Sequence, residues 1–134
     1  MSSSGEEQLA LPSVRFARIV YLAAGMVGLL EIVPLYFYEA TLNRTQPPAI
    51  THPEFYYGFL GVTLAWQIAF LVIARDPVRF RPLMPVSWIE KALYPLAVWW
   101  LVSQGRTHSD MLYAAALDVV WLVLFVFAWF RTAR

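Results

Sequence analysis

Two acidic residues stand where acids are costly. Glu31 interrupts the apolar stretch IVYLAAGMVGLLEIVPLYFY, residues 19–38, and Asp118 interrupts MLYAAALDVVWLVLFVFAWF, residues 111–130. Carboxylates inside hydrocarbon are expensive, so they face protein or a wet cavity, and they mark ligand or proton pathways. Glu31 lies seven residues before the end of its run at Tyr38, and Asp118 lies seven after the start of its run at Met111. If the two runs are antiparallel helices, both acids sit about 10 Å below one membrane edge. Two carboxyl groups at one height do not both ionise comfortably, which predicts that at least one of them is protonated at neutral pH and lets the pair share a proton. Arg44 or Arg106, from the flanking loops, is the alternative partner for either acid. Tyr36, Tyr113 and Trp121 are the nearby donors.

The faces around the acids follow from helical spacing. Ala24, Gly28 and Glu31 share a stripe of small residues, which suits close helix approach. Ala114, Asp118, Leu122 and Phe125 share a face of the last run. The second run, FYYGFLGVTLAWQIAFLVIA at 55–74, offers Gly61, Ala65 and Ala69 as a packing stripe, with Thr63 and Gln67 on another side. Thr63 and Gln67 reach the acids only if more than one face of that helix is covered by protein. Tyr94, in WIEKALYPLAVWWLV at 88–102, completes the candidate set. The site hypothesis is therefore Glu31, Asp118, Thr63, Gln67 and Tyr94, binding a ligand or accepting protons. Pro34 and Pro95 each remove a helical hydrogen bond and favour a bend that opens a cleft.

The remaining charges have ordinary explanations. Thr51-His-Pro-Glu54, Ser87-Trp-Ile-Glu90 and Thr107-His-Ser-Asp110 each carry the capping-box spacing or its Asp variant, so their acids serve as helix starts. His52 and His108 fall in the same loops and are not expected to be ligands. Lys91 is expected to extend its stem toward the interface. In RDPVRFRPLMPVSW, residues 75–88, Arg75, Arg79 and Arg81 are expected to meet lipid phosphates while Phe80, Leu83 and Met84 lie in the interface.

What must hold these residues is a membrane bundle. The chain is 60% hydrophobic and 14% charged, with six Trp, seven Tyr and nine Phe. A soluble domain of this size cannot cover so much apolar surface. Each long run is near the roughly 20 residues that cross a bilayer, and no strand-like alternation is visible. The expected fold is an all-α, membrane-spanning four-helix up-down bundle over 14–134, preceded by a disordered polar leader, 1–13. The first run is too long for a signal peptide and is expected to be retained. Arg15, Arg18, Arg75, Arg79, Arg81, Lys91, Arg131 and Arg134 fall on one side, and Arg44 and Arg106 on the other. That bias puts both termini in the cytoplasm of a bacterial inner membrane.

A net charge of +1 implies no nucleic-acid field, and the lack of cysteine removes disulfides, thiolate metal sites and thiol nucleophiles. No metal and no cofactor are expected. The stretch HPEFYYGFLGVTLAWQIAFLVIARDPVRFRPLM, followed by IEK, resembles a widespread group of small bacterial four-helix membrane proteins. In size and helix order the chain is loosely similar to DoxX-like proteins, which implies association with quinone-linked or redox membrane complexes. YLAAGMVGLLEIV also looks like the first span of small multidrug resistance transporters, whereas the later spans depart from that pattern.

The leading expectation is a non-enzymatic accessory subunit or binder of a small lipophilic ligand, a quinone included, acting alone, as a homo-oligomer or with a membrane-protein partner. The alternative is a small proton-coupled transporter using Glu31 and Asp118. An enzyme using a carboxyl acid–base pair would need a further donor, which the sequence does not supply.

Overall fold

The computed structural model describes residues 3–132, and every regular element among them is helical. The leader is not structureless: Ser3–Ala10 form helix α1, with Glu6 in the first turn where the helix dipole favours an acid. Met1 and Ser2 lie outside the described residues. The helix stops at Leu11, which is extended (φ −61°, ψ 137°) because the residue before a proline is driven from the α region. Helix α2 then runs Pro12–Leu35 with that proline at its start, where a missing N–H costs nothing.

Helix α2 ends three residues short of Tyr38. The amides of Tyr36, Phe37 and Tyr38 turn back onto the carbonyls of Val33, Pro34 and Leu35, and a short helix α3, Glu39–Thr45, follows. Helix α4 spans Pro53–Arg75, and a 3-10 turn at Arg81–Leu83 leads into α5, Met84–Ser103. Gly105, at φ +67°, closes α5: its amide bonds to Val102 and the next amide, of Arg106, to Leu101. A left-handed residue is needed there, and glycine adopts it without penalty. Helix α6, Met111–Thr132, completes the fold.

Three of these helices, α2, α4 and α6, are long and apolar enough to cross a membrane. Ile19, Leu30, Phe55, Val62, Val123, Phe127 and Phe130 stand exposed along them. Apolar surface on that scale marks a face that meets lipid or another protein. Helix α5 is 20 residues long but is diluted by Ser87, Glu90, Lys91 and two prolines.

Helix α2 packs along α4 and α6, and α5 packs along α6, whereas α4 meets α5 only over a short stretch. The buried core joins the starts of α2 and α5 to the ends of α4 and α6: Ala17, Tyr21, Ala24, Phe70, Ile73, Met84, Phe125 and Ala128. Tyr21 stacks on Phe125 with centroids 4.2 Å apart. Its hydroxyl lies 2.8 Å from Ser87 Oγ, which itself donates to the Met84 carbonyl at 2.6 Å. With that Ser87 proton already committed, Tyr21 is the donor of the pair. Tyr21→Phe removes one buried hydrogen bond and leaves the stacking, so an unfolding titration in detergent should show a loss of about 1 kcal/mol.

Two expectations about packing are corrected. The small stripe of α4 is not its buried face: Gly61 and Ala65 are exposed, and Leu60, Gln67, Phe70 and Ile73 are buried instead. Contact needs small residues on only one partner, and α2 supplies them. A Cβ on Gly25 would lie 2.9 Å from the Gln67 carbonyl oxygen, and one on Gly28 would collide with the Gln67 side chain. The capping-box reading also fails. Helix α5 begins one turn before Trp88, so Ser87 and Glu90 lie inside it. No side chain caps α4, and Glu54 meets His52 at 3.3 Å. The first amides of α6 bond to the backbone carbonyls of His108, Ser109 and Asp110.

Candidate intramembrane cavity

Beyond the core, on the side of the helix pair α4–α5 where packing is thin, lies a cavity of about 270 Å³. All four long helices line it. Glu31 and Gly28 come from α2, Thr63 and Gln67 from α4, Tyr94 from α5 and Asp118 from α6. The five residues singled out from the sequence thus border one space. Phe59 and Tyr94 stack across α4 and α5, centroids 6.3 Å apart, and form an aromatic wall.

The basic residue in its lining is Lys91. Its Nζ donates to Asp118 Oδ1 at 3.1 Å, stands 3.6 Å from Glu90 Oε2 and lies 5.3 Å from the centre of the Phe70 ring. The Lys91 side chain is only 8% exposed and that of Asp118 21%. Lys91 therefore does not reach for the interface. The reason is register: with α5 starting at Met84, Lys91 stands two turns inside the helix rather than at its beginning. Arg106 is also not the partner of an acid, since its guanidinium contacts Gln104 Oε1 at 3.3 Å. Among the described residues Tyr36, Tyr113 and Trp121 make no hydrogen bond to Glu31 or Asp118. Pro95 has no amide proton, so the Lys91 carbonyl also lacks its helical donor.

Glu31 differs from Asp118. It lines the cavity yet stays exposed, which puts it where the space opens, and it makes no hydrogen bond or ion pair among the described residues. Gln67 is the reverse case, 1% exposed. Its Nε2 donates to the Thr63 carbonyl at 3.0 Å, while Oε1, packed beside Gly28, has no partner. A buried acceptor left unpaired costs about 1–3 kcal/mol. Glu90 Oε2 is a second buried oxygen without a hydrogen bond.

Glu90 and Lys91 were missed as site residues. They stand four and three positions before Tyr94, which is the spacing of one helix face, so placing Tyr94 at the site carried both with it.

Arg75, Arg79 and Arg81 do not converge. Arg75 borders a separate crevice with Arg18, Leu22 and Leu71. The Arg79 amide donates to Asp76 Oδ1 at 3.1 Å, and its guanidinium lies 5.5 Å from the Phe80 ring centre. Arg81 turns onto Trp129, 4.1 Å from the ring centre, with its Nε buried and unpaired. At the far end Tyr57 donates to Glu39 Oε2 at 2.7 Å, and Tyr56 donates to the Leu35 carbonyl at 2.6 Å.

These features define an all-helical protein with three helices long and apolar enough to cross a membrane and a cavity lined by charged residues. Compared with protein-family models, with curated proteins and with solved structures, the chain matches none.

Proposed function

We propose that the chain is a multi-pass protein of the bacterial inner membrane whose cavity binds a small, largely apolar ligand. The observation that carries this reading is the cavity itself: about 270 Å³, bordered by four helices, with Glu31, Lys91 and Asp118 in its lining. Small-molecule sites are mostly apolar clefts with a few convergent polar groups, often between helices of a bundle. In this reading α5 is a fourth span, and its charged residues are tolerated because they face the cavity and each other.

The up-down arrangement is supported by the core, which gathers the starts of α2 and α5 with the ends of α4 and α6. Both termini are then cytoplasmic, as the arginine distribution suggests; Arg134 lies outside the described residues. Because the chain has no native cysteine, single cysteines report this directly. Ser109→Cys should react fully with an impermeant maleimide on intact spheroplasts, and Glu7→Cys only after lysis. The opposite pattern overturns the orientation.

Similarity in size and helix order to DoxX-like proteins makes a membrane-protein partner the expected company for such a binder. The test of binding is native mass spectrometry of protein released from mild detergent. A retained small molecule, lost from a variant that fills the cavity such as Thr63→Trp, supports the reading. A bare polypeptide mass under conditions that keep annular lipids removes it. The transporter alternative draws on Glu31, an unpaired carboxylate at the opening. It requires proton-coupled flux in proteoliposomes that vanishes in Glu31→Gln.

A further inference from the structure

The unmet hydrogen-bonding capacity of the cavity runs in one direction. Among the described residues Lys91 is the only basic side chain lining it, against three acids, Glu31, Glu90 and Asp118. That ammonium is already engaged by Asp118 and Glu90 and lies over Phe70. What remains free is acceptors: the Glu31 carboxylate and Gln67 Oε1, the latter on a side chain only 1% exposed. The hydroxyls of Thr63 and Tyr94 can donate or accept and do not alter this balance. The walls, Ile32, Leu35, Phe59 and Leu117, are apolar or aromatic.

A ligand that satisfies such a site brings protons and positive charge on a compact apolar body. We propose that the ligand class is the organic ammonium: a protonated amine whose N–H groups meet Glu31 and Gln67 and whose hydrocarbon part lies against Phe59, Tyr94 and Leu117. Glu31, at the opening, is its counter-ion; Asp118 is occupied by Lys91. The aromatic pair adds faces on which a cation is held. A quinone, whose oxygens only accept, finds no free ammonium or amide donor here. This assignment rests on the cavity being a ligand site.

The experiment uses three probes with a common phenyl-alkyl body: phenethylammonium, 2-phenylethanol and 3-phenylpropionate. Binding to the full chain in lipid nanodiscs is measured by equilibrium dialysis, with empty nanodiscs as the partition blank. Phenethylammonium should bind about tenfold more tightly than the alcohol, since hydrogen bonds to charged groups exceed neutral ones by that order. The carboxylate should not bind. Glu31→Gln should erase the ammonium's advantage and leave the alcohol unchanged, with a melting profile equal to wild type. Gln67→Leu, at the buried acceptor, should weaken the ammonium alone. Equal binding of ammonium and alcohol, or indifference to Glu31→Gln, overturns the charge assignment while the pocket stands. Uptake of none of the three overturns the pocket as well.

Discussion

Lys91→Met is expected to destabilise the protein by about 3–5 kcal/mol. Lys91 Nζ is the only cation within reach of Asp118 Oδ1 and Glu90 Oε2 among the described residues, at 3.1 and 3.6 Å. Removing it leaves two acids on facing helices with mutual repulsion and no compensating charge. The reverse operation behaves differently. Lys91→Met combined with Asp118→Leu deletes both charges, and replacing a buried pair by apolar groups is often neutral. The double variant should therefore recover part of the loss, with Glu90 still lacking its cation, and the coupling between the two sites, read from a double-mutant cycle of unfolding free energies, should exceed about 1 kcal/mol. A single variant within about 1 kcal/mol of wild type would mean that water already screens the pair.

Gly25→Val should separate α2 from α4. A Cβ there meets Leu71 Cδ2 at 2.7 Å and the Gln67 carbonyl oxygen at 2.9 Å. A leucine methyl can rotate away, but a main-chain oxygen moves only if its helix moves. Overpacking of this kind costs about 1–3 kcal/mol for modest additions, and valine, which adds two methyl groups beyond Cβ, belongs at or above the top of that range. The internal control is Gly58, where nothing lies within 4 Å of the added carbon. Gly58→Ala should stay within about 0.5 kcal/mol of wild type. Gly28→Ala separates stability from function, because its added carbon meets the movable end of Gln67 rather than backbone. It should disturb the cavity more than the fold, visible as a change in probe binding with a nearly unaltered melting curve.

The resolution of the charged site shows where pattern reading stops. The depth argument that paired Glu31 with Asp118 placed both acids on one cavity, although α2 ends at Leu35 and leaves Glu31 four residues from its end rather than seven. The arithmetic tolerates such an error because one helical turn is only about 5 Å. It did not tolerate the error at α5. There the run of apolar residues begins at Trp88, but the helix begins at Met84, and that one turn carries Lys91 from a lipid interface into the cavity. Asp118 meets Lys91 in an ion pair, and among the described residues it makes no hydrogen bond to Glu31.

By itself the sequence determined the solvent and the class of fold. Runs of about 20 apolar residues in a chain with few charges can bury their backbone groups only as helices in lipid, and that constraint is local enough to read one residue at a time. It also determined which polar residues are out of place, because an acid in an apolar run is conspicuous whatever surrounds it. Tertiary structure alone decided which face of α4 is buried, since Gln67 fits inside only because α2 offers Gly25 and Gly28 opposite it. It likewise decided which cation neutralises Asp118. That pairing depends on side chains 27 positions apart meeting across two helices, and no spacing along a single helix encodes it.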